Sequence, residues 1–241
     1  MGEFVDLHCH WLPGVDDGVE TLEDAVALLR ALGELGFARV VATPHMRPGM
    51  FDNTAEGLRV AFERVQPALE RKGPLPVREL ASEHFFDDVV FQRLLTGEGL
   101  PYPGGAAVLL EFYDSSFPPR VERLLGQLRE RGLLPVIAHP ERYRVIWERP
   151  SVLDRLLDSG AVALLDVAAL VGKYGRQPQR CAERLLESES YHAACSDAHR
   201  LRDVPDVAKG IELVRRRYGE GEVDALFRRG PLEILAGTAL G

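Results

Sequence analysis

Histidines and acids recur in this chain where short apolar runs end, and they carry most of its potential chemistry. His8 and His10 stand two residues apart, so the two-residue repeat of a strand places both imidazoles on one face. Asp197 and His199 have the same spacing near the other end of the chain. Imidazole and carboxylate groups are typical ligands of divalent transition metals. The spacing therefore predicts a metal site to which both ends of the chain contribute.

Further candidate ligands follow other apolar runs. They are His45, Glu83, Glu111 and His139. A single such residue is equally consistent with a hydrogen-bonded core histidine or a solvated acid, but most of the histidines occupy equivalent positions. The donors are too many for one tetrahedral ion, so we predict a binuclear or trinuclear site with a bridging carboxylate. The two other histidines, His84 and His192, are predicted to be structural.

An acid pair and two arginines lie near these candidates. Asp16 and Asp17 either form an Asp-Gly turn or add a ligand. Arg47 and Arg142 each follow a candidate ligand by two or three residues. A planar guanidinium at such a place either pairs with surface acids or holds phosphate through two hydrogen bonds.

The elements that must position these residues alternate between apolar runs and longer amphipathic segments, which is the pattern of parallel strands joined by helices. The predicted strands are 4–8, 39–43, 77–82, 107–112, 134–139, 162–167 and 192–196. The predicted helices are 22–35, 54–71, 87–95, 118–131, 150–157, 178–186, 204–218, 222–229 and 231–235. Periodicity leaves a closed barrel and an open sheet as alternatives. In α/β barrels the active site gathers at the carboxyl ends of the strands, where the candidates fall.

Composition narrows the class of protein. A chain of 241 residues without a Gly/Ser-rich linker fits one α/β domain, so we predict a single domain spanning residues 1–241. The net charge of −8 argues against nucleic acid as a partner. Neither a signal peptide nor a membrane span is apparent, and the three cysteines form no paired motif. We expect a cytoplasmic protein without disulfides or direct membrane insertion.

Seven short motifs occur in order along the chain. They are Asp-Leu-His-Cys-His at 6–10, Pro-Gly-Val-Asp-Asp-Gly at 13–18, Ala-Thr-Pro-His at 42–45, Glu83, Leu-Glu-Phe at 110–112, Ile-Ala-His-Pro-Glu-Arg-Tyr at 137–143 and Ser-Asp-Ala-His at 196–199. Together they resemble the polymerase-and-histidinol-phosphatase (PHP) superfamily. More closely, they resemble its bacterial metal-dependent protein-tyrosine phosphatases, which regulate capsule and exopolysaccharide synthesis. The resemblance covers nearly the whole chain.

The resemblance implies a distorted (β/α)7 barrel with three divalent metals, Mn²⁺ being expected and Fe, Zn, Co or Mg being alternatives. The implied ligands are His8, His10 and Asp197 with Glu83 bridging for the first metal, Glu83, Glu111 and His139 for the second, and Asp17, His45 and His199 for the third. Asp17 is preferred to Asp16 because its offset from His10 matches the family. Arg142 matches an arginine that contacts phosphate. A second family arginine is replaced by a different local sequence, in which Arg202 either takes its place or points elsewhere.

These residues predict a phosphomonoesterase acting on a phosphotyrosine protein, and an autophosphorylating tyrosine kinase is the expected substrate. A histidinol-phosphate or other small-molecule phosphatase would use the same metals and is the first alternative. A metal-binding regulator without turnover is the alternative of a different class. A cysteine phosphatase is excluded because no arginine stands six residues after Cys9, Cys181 or Cys195. An amidohydrolase is excluded because no lysine stands at a predicted strand end.

Apolar side chains that follow His45 and Glu111 bear on the choice of substrate. They are Met46, Met50, Phe51, Phe112, Tyr113 and Phe117. Each either stacks on a tyrosine ring or anchors its loop. Phenolate leaves more readily than an alkoxide because its parent pKa is only about 10, so a phosphotyrosine phosphatase needs no dedicated general acid.

Overall fold

Parallel strands form the centre of the molecule in a computed structural model that describes residues 3–240. Within that range the strands are β1 (Phe4–Cys9), β2 (Phe37–Ala42), β3 (His45–Met46), β4 (Val77–Leu80), β5 (Glu83–Phe85), β6 (Ala107–Glu111), β7 (Leu134–Ala138), β8 (Val162–Asp166) and β9 (Ala193–Cys195). All seven predicted strands are present. The short strands β3 and β5 are additional.

Helices connect most of these strands. They are α1 (Leu22–Glu34), α2 (Ala55–Glu70), α3 (Asp88–Thr96), α4 (Val121–Glu130), α5 (Arg144–Glu148), α6 (Ser151–Asp158), α7 (Arg176–Glu187), α8 (Val204–Tyr218), α9 (Glu220–Asp224) and α10 (Gly230–Ala236). The hydroxyl of Thr21 caps α1 by accepting a hydrogen bond from the Asp24 backbone N–H, and Thr54 caps α2 in the same way. The one-and-a-half turns of α5 were not predicted because no apolar period can be read from five residues.

The strands are arranged as two parallel sheets, in the orders β1-β2-β4 and β3-β5-β6-β7-β8-β9. This confirms the predicted α/β class with parallel strands, although the ladder is not one continuous seven-stranded sheet. The division falls beside Pro44, which has no backbone N–H to give to a neighbouring strand. Pairing resumes with β3 and β5, where His45 stands opposite Glu83.

Backbone hydrogen bonds also join β1 to the segment after β9. The His10 N–H donates to the carbonyl of Ala198 at 3.0 Å, and the Asp197 N–H donates to the carbonyl of His8 at 2.9 Å. In addition, Asp6 Oδ1 accepts from the backbone N–H of Ser196 at 3.0 Å. The beginning and the end of the chain therefore meet where the candidate ligands lie.

Alternation along the strands sorts the buried side chains into two groups. Leu109 of β6 belongs to a compact inner cluster, whereas its neighbour Leu110 packs in the larger cluster beneath the helices, and β7, β8 and β9 alternate in the same way. Three acids, Glu111, Asp166 and Asp197, each stand two residues after a member of the inner cluster. Because the strand repeat is two residues, each acid is on the same side as that member. The strand periodicity thus carries these three acids to the end of the inner cluster.

The single-domain prediction for 1–241 includes residues 1, 2 and 241, which lie outside the described residues, and it stays a prediction. No helix between residues 3 and 240 is long and apolar enough to cross a membrane.

Gly210 of α8 tests how closely the helices pack on the strands. A Cβ there would lie 2.5 Å from the Val167 carbonyl oxygen, so Gly210→Ala should destabilise the protein by on the order of 1–3 kcal/mol. A Cβ on Gly126 of α4 would have no neighbouring atom within 4 Å among the described residues. Gly126→Ala is therefore the matched control and should stabilise by about 0.5–1 kcal/mol. Urea unfolding measures both free energies, and equal stability of the two variants would contradict the packing.

Candidate metal centre

All nine predicted metal ligands lie in one region of the structure. They form four groups in which the candidate ligand atoms lie within 4.8 Å of one another. The groups are His8, His10 and Asp197; His8, Glu83 and His139; His45, Glu83 and Glu111; and His10, Asp17, His45 and His199. His8 and His10 share one face of β1, as their spacing predicts, while Cys9 packs in the larger apolar cluster.

The most regular arrangement involves both histidines of β1. His8 Nε2 lies 3.2 Å from His10 Nε2, and it lies 3.2 Å from both Glu83 Oε2 and Asp197 Oδ1. His10 Nε2 lies 3.5 Å from the same two oxygens. A regular tetrahedron with edges of about 3.3 Å has its centre about 2.0 Å from each corner, close to the usual distance of zinc from nitrogen and oxygen ligands. These four atoms are therefore spaced as ligands of one small cation.

Glu83 is the carboxylate that two of the four groups share. Its Oε2 lies 3.0 Å from His45 Nδ1, and its Oε1 lies 3.1 Å from His139 Nε2. Burial by itself raises the pKa of Glu83, but the neighbouring charges of His8 and His45 hold that pKa well below its ordinary value. A charged carboxylate that directs one oxygen to each of two groups has the geometry expected of a bridging ligand.

The two acids of segment 13–18 differ in position. Asp17 Oδ1 lies 3.4 Å from His45 Nε2 and 3.6 Å from His199 Nε2, on the open side of the cluster. Asp16 is instead held by hydrogen bonds, because its Oδ2 accepts from His10 Nδ1 at 2.7 Å and its Oδ1 accepts from the Gly18 N–H at 3.0 Å. The bond to Nδ1 turns the other ring nitrogen of His10 toward the cluster. The arrangement favours Asp17 over Asp16 as the ligand.

The charge balance of the cluster suits a cation. Burial by itself lowers the pKa of His45, but Glu83 and Asp17 raise that pKa to about 10. Burial and the charge of Glu83 raise the pKa of Glu111 to about 7. The Oε2 atom of Glu111 is buried and receives no hydrogen bond from any of the described residues. Divalent metals replace protons on such ligands, so the residues present fit a metal centre.

Two candidate ligands have an unusual backbone conformation. His139 directly follows β7 and has a φ angle of 34°. Asp197 stands two residues beyond β9 and has a φ angle of 42°. Such left-handed residues other than glycine cost of order 1–3 kcal/mol and persist only where the surrounding structure enforces them. Hydrogen bonds from the His139 N–H to Leu164 and from the Asp197 N–H to His8 help to enforce the conformation.

A cavity of about 250 Å³ opens beside the cluster, and its lining includes Glu111, His139, Arg47 and Arg142. The Arg142 guanidinium donates a hydrogen bond to Asp197 and lies over the ring of Tyr174, 4.6 Å from the ring centroid. Burial by itself lowers the pKa of Arg142, but Asp197 raises that pKa above its ordinary value. A permanently charged donor therefore faces the space next to the candidate ligands.

Arg202 lies elsewhere. It is exposed in the turn Leu201–Asp203, and it is not among the described residues that line the cavity. Its assignment to a second phosphate contact stays a prediction.

A family model described as capsular polysaccharide synthesis, CpsB/CapC, matches residues 4–236. The chain belongs to the CpsB/CapC family. Tyrosine-protein phosphatase YwqE of Bacillus subtilis (strain 168) is 32% identical over 204 residues, which are 82% of this chain and 78% of YwqE. Tyrosine-protein phosphatase CpsB of Streptococcus pneumoniae is 24% identical over 237 residues, which are 96% of this chain and 98% of CpsB.

The fold of this CpsB/CapC family member is also that of a solved relative. A chain from the crystal structures of YwqE from Bacillus subtilis and CpsB from Streptococcus pneumoniae, described as metal-dependent tyrosine phosphatases, superimposes with a TM-score of 0.87 and 28% identity. The superposition covers 97% of this chain and 94% of that one. The resemblance found in the sequence motifs is thereby confirmed.

The structure adds residues that sequence reasoning missed. Asp166 is buried, and its Oδ2 lies 4.0 Å from Arg142 Nη1. Its position two residues after Leu164, on the same side of the strand, was the feature that could have indicated a place in the site. Phe85 lies beneath Arg47 and gave no signal, because an isolated phenylalanine resembles any core residue. His84 behaves as predicted, since both of its ring nitrogens bond to backbone groups.

The six apolar candidates that follow His45 and Glu111 divide by exposure, and only Phe112 and Tyr113 of them are among the described residues that line the cavity. Met46 and Phe112 are buried and anchor their segments. Phe51 stacks on His45, and Phe117 packs edge-on against Phe112. Met50 and Tyr113 are the two with more than half of their surface exposed, at 59% and 54%.

Asp16→Asn should weaken metal binding by about 10- to 100-fold, as removal of an outer carboxylate commonly does. Both Asp16 oxygens accept hydrogen bonds, whereas asparagine offers only one acceptor oxygen. Asp52→Asn is the matched control, because that side chain accepts from the Gly49 N–H in an exposed turn. Competition with a chromogenic chelator measures the affinities, and an unchanged affinity in Asp16→Asn would show that the bond to His10 does not matter.

Proposed function

We propose that this CpsB/CapC family member is a metal-dependent protein-tyrosine phosphatase. The observation that carries the proposal is the set of nine converging nitrogen and oxygen ligands beside a cavity lined by two arginines. The names of YwqE and CpsB as tyrosine-protein phosphatases support the same reaction. Mixed imidazole and carboxylate sites accept several metals, and Mn²⁺ is the ion that we expect, with Fe, Zn, Co or Mg as alternatives.

We assign three metals to the ligands in the order that the resemblance implies. The first is assigned to His8, His10, Asp197 and Glu83, the second to Glu83, Glu111 and His139, and the third to Asp17, His45 and His199. In the structure Glu111 groups with Glu83 and His45, whereas His139 groups with Glu83 and His8. When bound, such ions activate water and neutralise phosphoryl oxygens. Glu83 fixes the spacing between the first two ligand sets, and Asp16 fixes the ring orientation of His10.

Arg142 is proposed to bind the phosphoryl group. Its guanidinium is held by Asp197 on one side and by the Tyr174 ring on another, so it is oriented before substrate arrives. A preorganised donor stabilises the charge that develops on the oxygens during phosphoryl transfer. The phenolate leaving group has a parent pKa of about 10, so the chain needs no general acid to expel it.

We further propose that the two sheets close as one distorted (β/α)7 barrel within a single domain. Closure is supported by the hydrogen bonds that link β1 to the segment after β9. Continuity between the sheets is supported by the Glu83 N–H, which donates to the Thr43 carbonyl at 3.3 Å. An autophosphorylating tyrosine kinase as the physiological substrate rests on the resemblance of the sequence. A cytoplasmic location completes the proposal and is supported by the three free cysteines, which suit a reducing compartment.

The decisive experiment compares three substrates with Mn²⁺ and with a strong chelator. We expect a phosphotyrosyl peptide to be hydrolysed with a kcat/KM at least about tenfold above that of the matching phosphoseryl peptide and of histidinol phosphate. Chelation should abolish turnover, and elemental analysis should find two to three metal equivalents, as the ligand count predicts. A preference for histidinol phosphate would identify a small-molecule phosphatase. Bound metal without turnover of any substrate would identify a regulator.

Arg142→Ala should reduce kcat/KM by about 100- to 1000-fold while the metal content stays unchanged, as loss of one preorganised donor does. Arg144→Ala is the matched control, because Arg144 is exposed and pairs with Glu148 at 2.8 Å on the surface of α5. Steady-state kinetics with elemental analysis of each variant provides the measurement. An unchanged kcat/KM in Arg142→Ala would remove this residue from phosphate binding.

A further inference from the structure

Arg47 differs from Arg142 in its surroundings. Its guanidinium carbon lies 3.9 Å from the centroid of the Phe85 ring, over the face of that ring. Tyr113 stands edge-on to Phe85, with the ring centroids 4.6 Å apart and the planes at 88°. Among the described residues, no carboxylate oxygen lies within 4.0 Å of the Arg47 guanidinium, whereas Arg142 is paired with Asp197. Arg47 therefore belongs to an aromatic wall rather than to an ion pair.

Both partners of this stack are fixed by the backbone. Phe85 is the last residue of β5, where it pairs with Glu111 of β6. Arg47 follows β3 and is held by a tight turn, in which its N–H donates to the Phe51 carbonyl at 3.0 Å and its carbonyl accepts from the Phe51 N–H at 2.8 Å. The turn and the strand bring the guanidinium and the ring together, so the stack is present before any ligand binds.

A stacked guanidinium has one face left for binding. Phe85 covers one face of the Arg47 guanidinium, whose carbon lies 5.9 Å from the centroid of the Tyr113 ring, and Arg47, Phe85 and Tyr113 all line the cavity. Two candidate metal ligands, Glu111 and His139, line the same cavity. A group in the cavity therefore meets candidate metal ligands as well as a flat cation that rests on an aromatic ring.

We propose that Arg47, held on Phe85, binds the aromatic ring of the substrate and sets the preference for aryl over alkyl phosphates. Cation–π contact with the free guanidinium face attracts a phenyl ring and offers nothing comparable to the side chain of phosphoserine. Tyr113, whose ring is more than half exposed, adds an apolar edge to the same wall. This specificity role replaces the phosphate contact predicted for Arg47, and it rests on the proposed function.

The test uses two phosphonates that cannot be hydrolysed, phenylphosphonate and methylphosphonate, with the Mn²⁺-loaded protein in a titration calorimeter. The wild type should bind phenylphosphonate more tightly. In Arg47→Ala this preference should fall by about five- to tenfold, the size of a partly desolvated cation–π contact, while the affinity for methylphosphonate stays unchanged. Arg47→Lys keeps the charge without the flat stack and should lose most of the preference, and Phe85→Leu should do the same by removing the support.

Arg217→Ala is the matched control, because its guanidinium also faces an aromatic ring, that of Tyr218, but lies outside the cavity. An equal loss of affinity for both phosphonates in Arg47→Ala would assign Arg47 to the phosphate and overturn the proposal. No change for either ligand would also overturn it.

Hydrolysis of a phosphotyrosyl peptide by the wild type is measured in parallel. Turnover by the wild type together with an unchanged preference in Arg47→Ala means that the role of Arg47 is wrong and the phosphatase proposal stands. If the wild type neither turns over the peptide nor binds either phosphonate, the proposed function itself is wrong.

Discussion

The burial of one carboxylate, that of Glu83, is the constraint on which the rest of this site depends. Its side chain is 1% exposed, and imidazoles from β1, β3 and the end of β7 surround it. An ionised carboxylate removed from water is tolerated only with compensating charge nearby. The charges of His8 and His45 lower the pKa of Glu83, and divalent ions on the same atoms would supply compensating charge more strongly. The clustering of ligands is thus a consequence of electrostatics as well as of strand geometry.

The strands are irregular next to several of the side chains that surround Glu83. Pro44 ends the ladder of β2, and the displaced ladder that follows places His45 opposite Glu83. His139 and Asp197 adopt left-handed backbone conformations at their strand ends. Regular pairing is given up at these points, and in each case a ligand atom reaches the common centre. Two of the four described non-glycine residues with a positive φ are thus candidate ligands, as is typical where function rather than stability fixes the backbone.

The sequence predicted the strands well because strands depend on local periodicity. The nine predicted ligands lie together in the structure, and their binding of metal stays a prediction. A two-residue repeat is sufficient to place His8 and His10 on one face, and strand ends are recognisable from apolar runs. The residues by themselves left Asp16 and Asp17 as alternatives, and the family resemblance favoured Asp17. Only the structure shows that Asp16 reaches His10 Nδ1 across a turn. The stack of Arg47 on Phe85 was also beyond prediction, because it joins two strands whose register is set by the whole ladder.

The hydrogen bond between Asp6 and the Ser196 N–H joins residues 190 positions apart, which has a consequence for biosynthesis. A chain leaving the ribosome presents the histidines of β1 long before Asp197 has been translated. Closing so long a loop adds little to the equilibrium cost, which grows only with the logarithm of its length, but it delays assembly. The first ligand set is therefore completed among the last events of maturation. An ion bound before that point would be held by an incomplete set of the proposed ligands and would exchange more readily.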